Sequence, residues 1–74
     1  MSTLAEQKVR KQLGEKIREL RDKSGITQDK LAIDIHSSSA YISHVEKGLR
    51  TPSVSFLIKV SYRLKVQLWE LFKF

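Results

Sequence analysis

The residues best equipped for chemistry in this chain fall in one short run. Ser37, Ser38 and Ser39 lead into Ala40, Tyr41, Ser43 and His44, and then into Lys47, Gly48, Arg50 and Thr51. Hydroxyls and an imidazole donate and accept hydrogen bonds, and Lys and Arg hold anions. Catalysis fits this set poorly, because no paired carboxylates, nucleophile motif or glycine-rich phosphate loop stands out. Cysteine is absent, and His36 and His44 are the only histidines. Disulfide scaffolds, thiol catalysis and Cys-based zinc fingers are therefore excluded, and the ligands usual for a structural zinc are too few. The expectation is a protein that is not an enzyme and takes no metal or cofactor. What remains is recognition by small polar groups backed by positive charge.

Net charge points to the class of partner. Fourteen Lys and Arg against eight Asp and Glu give +6 on 74 residues, a density suited to a polyanion, above all nucleic acid. The charge is unevenly placed. Residues 25–46 carry Lys30 against Asp29, Asp34 and Glu46, a net of −2. Residues 47–74 carry six basic residues against Glu70, a net of +5, and residues 1–24 carry seven against four, a net of +3. An electrostatic grip on a polyanion should thus come from the flanks of the serine-bearing segment.

Five helices are expected to position these groups. From Thr3 to Ser24, Val9, Leu13, Ile17 and Leu20 recur on one face of a helix. The opposite face pairs Glu6 with Arg10, Lys11 with Glu15, Arg18 with Asp22 and Glu19 with Lys23 at i, i+4. Leu4 falls off the apolar stripe. Gly25 suits a left-handed C-terminal cap, and Thr27 caps a second, short helix whose apolar face is Leu31, Ala32 and Ile35. His36 stands at the turn. Ser37 or Ser38 caps a third helix carrying Tyr41, Ile42 and Val45 and closed by Lys47 and Gly48. Ser53 caps a fourth, to about Leu64, with Val54, Leu57, Ile58 and Ser61 on one stripe and Phe56, Val60 and Leu64 on another. A helix apolar on two sides is expected at the buried centre of the domain. Residues 67–72 read as a fifth helix of barely two turns. Short connections and no internal repeat make residues 1–74 a single compact all-α domain.

Two short helices joined by a tight turn, the second opening in serines, form the pattern of a helix-turn-helix over about residues 27–47. The second helix must enter a major groove about 12 Å wide with its outward side chains on base edges. Residues 13–72 resemble the Cro/C1-type, lambda-repressor-like domains of phage repressors. The resemblance rests on Thr27, Gln28, Leu31, Ala32, Tyr41, Ile42, Ser43, Glu46, Lys47, Gly48, Pro52 and the closing Leu68, Trp69, Glu70, Leu71, Phe72. Two positions depart from it: His36 stands where the family usually has glycine, and Ser37 where it usually has an apolar residue. A left-handed backbone at His36 costs about 1 kcal/mol.

The resemblance implies roles. Ser38, Ser39, Ala40, Ser43 and His44 match groove-facing positions that contact bases. Gln28, Tyr41, Lys47, Gly48, Arg50 and Thr51 match positions that contact phosphate. Arg21 and Glu46 match a buried ion pair tying the first helix to the end of the recognition helix. That helix has no Arg, Asn or Gln before Lys47, so DNA shape is expected to supply much of the specificity.

One such domain reads only a few base pairs, so a homodimer on two half-sites about 34 Å apart is expected. Val66, Trp69, Phe72 and Phe74 give residues 66–74 more apolar bulk than a short helix needs, which marks this end for the dimer interface. The size of the chain resembles the controller proteins of restriction–modification systems. The leading expectation is a transcriptional regulator that binds duplex DNA at operator sites. An antitoxin or other protein-interaction module with this fold is the alternative. The charged first 20 residues lack the apolar core of a secretory signal, and no run is long enough to span a membrane, so the cytoplasm is the expected compartment. No small-molecule ligand is evident.

Overall fold

The computed structural model describes residues 3–74; residues 1 and 2 of the expected domain lie outside the described residues. The Thr3 hydroxyl accepts from the Glu6 backbone N–H at 3.0 Å and opens α1, Leu4–Lys23. Leu13, Gly14, Ile17 and Arg21 are the buried face of α1, while Val9 and Leu4 remain exposed. On its outer face Arg18 meets Asp22 at 3.9 Å and Lys23 meets Glu19 at 3.2 Å. Gly25 takes a left-handed backbone, with φ 73°, and turns the chain out of the helix.

Thr27 caps α2, Gln28–Asp34, by accepting from the Lys30 N–H at 3.0 Å. The turn that follows passes through His36 at φ 57°, so the histidine does take the left-handed conformation for which this position usually holds glycine. Ser38 then caps α3, Ser39–Glu46, accepting from the Tyr41 N–H at 3.0 Å. Ser53 caps α4, Val54–Leu64, in the same way, through the Phe56 N–H.

Leu13, Ile17, Leu31, Ala32, Ile35, Ile42, Val45, Phe56, Leu57, Val60, Leu64 and Leu71 form one core. Every element contributes at least one of these side chains, so all five pack around a single interior.

Two expectations are corrected. The element after α4 is a 3-10 helix, Leu68–Phe72, so the fold is four α-helices and one 3-10 helix. Its length and caps account for this. Glu70 Oε2 accepts from the Gln67 N–H at 2.6 Å, and the Glu70 N–H bonds Gln67 O, which closes an i, i+3 turn at once. Only Leu71 of its five residues is buried, too little packing to sustain a wider helix. The second correction concerns α4, which is not buried on two sides. Phe56, Leu57, Val60, Ser61 and Leu64 face the core, but Val54 and Ile58 are 65% and 50% exposed. With Tyr62, 87% exposed, they form a stripe at i, i+4, i+8 along the outer face. The helix ends at Lys65, which takes φ 61° without glycine.

Candidate nucleic-acid interface

The α2–turn–α3 unit is locked from behind by a buried charge cluster. Arg21 Nε and Nη2 donate to Glu46 Oε2 and Oε1 at 2.7 and 3.1 Å, a two-pronged pair across 25 residues. Arg21 Nη1 also donates to the Ile26 carbonyl at 2.8 Å, so the same guanidinium holds the loop before α2. Glu46 raises the Arg21 pKa above its ordinary value, chiefly through the hydrogen bond. Gln28 Nε2 donates to Glu46 Oε1 at 3.0 Å, which ties the start of α2 to the end of α3. One amide hydrogen and the carbonyl of Gln28 stay outside this contact.

Gly14 sets how closely α1 crosses the end of α3. A Cβ at Gly14 would lie 2.2 Å from the Val45 carbonyl oxygen and 2.7 Å from that of Glu46. Sequence reading missed this residue, since a lone glycine in an amphipathic pattern signals only a weak helix former. It also missed Arg10, whose Nε donates to the Gly48 carbonyl at 3.2 Å. Gly48 has φ 75°, and a Cβ there would stand 2.9 Å from Lys11 Cα. The loop leaving α3 is therefore pressed onto α1, and the Leu49 N–H closes on the His44 carbonyl at 2.9 Å.

On the outer side, the residues matched to base-edge positions fall at the start and along one side of α3. Ser38, Ala40 and His44 are exposed; Ser39 and Ser43 are half-buried. Ser38 Oγ is engaged as the helix cap, and the Ser39 hydroxyl donates to Asp29 Oδ1. Of the residues matched to phosphate positions, Lys47, Arg50 and Thr51 are exposed, and Gln28, Tyr41 and Gly48 are half-buried. Tyr41 and Arg50 come together, the guanidinium carbon 5.9 Å from the ring centroid. Phe56 also packs against the Tyr41 ring, edge-on at 5.0 Å and 81°.

The residues expected at a dimer interface from their apolar bulk do not share one environment. Val66 is half-buried at the margin of the core. Trp69 is exposed with Lys73 Nζ 5.6 Å from its ring centroid. Phe72 lines a groove of about 470 Å³ with Val9, Pro52 and Leu57, and its ring lies 6.5 Å from that of Phe74. The α4 stripe of Val54, Ile58 and Tyr62 adds exposed apolar surface that the sequence reading had assigned in part to the core. Beside it, Asp34 accepts from Arg63 Nε at 2.5 Å and from Lys30 Nζ at 3.0 Å, which holds its carboxyl below the usual range, Arg63 first.

The helix-turn-helix family model matches residues 17–70, which contain α2, the turn, α3 and α4 whole. The chain belongs to the helix-turn-helix family of DNA-binding regulators. It is 37% identical over 67 residues to the control protein C.BamHI of Bacillus amyloliquefaciens, covering 89% of this chain and 83% of that protein. It is 44% identical over 61 residues to the HTH-type transcriptional regulator SlrR of Bacillus subtilis; the match covers 81% of this chain but only 40% of that longer protein. The crystal structure of the restriction–modification controller protein C.AhdI from Aeromonas hydrophila superposes with a TM-score of 0.81 at 32% identity, over 84% of this chain and 94% of that one. Among the described residues, no group of three His, Cys, Asp or Glu could hold a metal ion, and no helix is long and apolar enough to cross a membrane.

Proposed function

We propose that the chain is a sequence-specific regulator that binds duplex DNA as a homodimer at operator sites in the cytoplasm. The relatives favour a restriction–modification controller. One observation carries the reading. Ala40, His44 and Lys47 stand exposed on a helix whose far end is locked by Arg21 and Glu46, and Arg50 is held against Tyr41 beside it. A rigid helix with small, open side chains is what entry into a major groove requires. In this reading Ser38, Ser39, Ala40, Ser43 and His44 meet base edges. Gln28, Tyr41, Lys47, Gly48, Arg50 and Thr51 hold phosphates. Bound near a promoter, the dimer represses or recruits polymerase according to position.

The dimer draws on the exposed apolar surface. Residues 66–74 supply Trp69, Phe72 and Phe74, and α4 supplies Val54, Ile58 and Tyr62. A second copy of the chain is the partner proposed for this surface, because a single recognition helix spans too few base pairs to define an operator.

Selection of bound sequences from a random duplex pool at near-physiological salt tests the proposal. A two-fold symmetric site is the expected result. Binding without a consensus, lost on modest addition of salt, would reduce the interaction to attraction of a +6 chain. The antitoxin or interaction-module reading would then lead, with the exposed α4 stripe open to a different protein.

A further inference from the structure

The three acidic residues within the helix-turn-helix are treated differently by the fold. Glu46 is held by Arg21 and Gln28, and Asp34 by Lys30 and Arg63. Asp29 has no basic partner among the described residues; its carboxylate is bonded by the hydroxyl of Ser39. Asp29 is exposed on α2, and Ser39 is the first residue of α3. A bare carboxylate beside a surface that must approach phosphates weakens binding to every sequence. Its place next to a base-reading position calls for a gain in selectivity.

Hydrogen-bond polarity supplies that gain. A serine hydroxyl has one proton to donate and two lone pairs to accept with. The Ser39 proton is directed at Asp29 Oδ1, so Ser39 has only lone pairs left to offer. The remaining sites on the Asp29 carboxylate also only accept. Ser38 differs in keeping its donor. Its oxygen already accepts from the Tyr41 N–H, and its proton remains free to donate. Adjacent serines at the start of α3 thus present unlike polarity, and Asp29 imposes the difference.

We infer that Asp29 is a specificity-determining residue. By engaging the Ser39 hydroxyl proton it makes the Ser39–Asp29 pair an acceptor-only patch beside the Ser38 donor, and this patch selects a base presenting an exocyclic amino group in the major groove. Cytosine N4 and adenine N6 are such groups; guanine O6 and thymine O4 would place lone pairs against lone pairs. Discrimination therefore works by repulsion as much as attraction. This inference rests on the proposed binding of duplex DNA.

The test uses the full chain and a panel of duplexes built on the selected site, each changed at one base pair. Wild type should show one symmetric position at which a base with an amino group is preferred by about tenfold. Asp29→Ala and Ser39→Ala should both compress that preference at that same position to about two- or threefold. Asp29→Ala should do so without weakening binding to the disfavoured duplexes. Asp29→Asn, whose amide can donate, should shift preference there toward guanine or thymine. Circular dichroism checks that each variant is folded. If Asp29 merely braced α2 against α3, its variants would weaken binding to all duplexes alike and leave the preference intact; that result overturns the inference. A wild-type protein that selects no site at all overturns the DNA-binding reading, and does so before any variant is made.

Discussion

Gly14 on α1 lies against the carbonyl oxygen of Val45, near the end of α3, with no room for a side chain between them: a Cβ would come within 2.2 Å of that oxygen. Backbone meets backbone at this crossing, so neither side can yield by a rotamer change. In an isolated helix, replacing glycine by alanine gains about 1 kcal/mol. Here the sign should reverse. Gly14→Ala is expected to destabilise the domain by at least about 2 kcal/mol in urea unfolding. A neutral or stabilising result would mean that α1 does not seat on α3 in this way.

The Arg21–Glu46 pair should behave as a buried buckle. Glu46→Ala strands a charged guanidinium and releases Gln28, and should cost about 3–5 kcal/mol. The double substitution Arg21→Met with Glu46→Leu removes both charges and should recover most of that loss. Urea unfolding of Arg21→Met, Glu46→Leu and the double variant measures the coupling. Additive single losses would contradict a shared, desolvated pair.

Asp34 gives the fold a dependence on acid. Its carboxyl titrates below the ordinary carboxylate value because Arg63 and then Lys30 donate to it. The stabilisation is complete above the unfolded carboxyl pKa of about 3.9 and is lost as pH falls through the folded value. Asp34→Asn should therefore lower stability at neutral pH and flatten the decline in acid. Thermal unfolding of both proteins between neutral pH and pH 3 compares the slopes, and parallel curves would rule the contribution out.

Much of this architecture was legible in the sequence, because several devices are local. Thr27, Ser38 and Ser53 are caps that act within three residues, and Gly25 and His36 mark left-handed turns. Leu31, Ala32, Ile35, Ile42 and Val45 follow helical spacing into the core. What stayed hidden depends on distant partners. Gly14 is constrained by residues of α3, and Arg10 bonds a carbonyl 38 positions away. Val54 and Ile58 read as core because an apolar stripe has the same spacing whether it faces the interior or solvent. In five residues, i, i+3 and i, i+4 periodicities cannot be separated, so residues 68–72 gave no sign of the tighter 3-10 winding. Asp29 and Ser39 lie on different helices, and only the fold brings them together.

Lys47 and Arg50 should act on any sequence alike. Each substitution to alanine removes one phosphate contact in the proposed complex. Affinity should fall by a similar factor on the operator and on unrelated duplex, and the slope of log K against log salt should shrink by about one for each. Salt titrations of binding by fluorescence anisotropy provide both quantities. An unchanged slope would place these residues away from the phosphates.

In the proposed complex, two copies of α3 lie in successive major grooves on one face of the duplex. Methylation protection of guanine N7 on the selected site tests it most directly, because that atom faces the major groove. Two protected segments are expected, related by two-fold symmetry and centred about 10 base pairs apart. A single protected segment, or unprotected guanines under a bound protein, would contradict it.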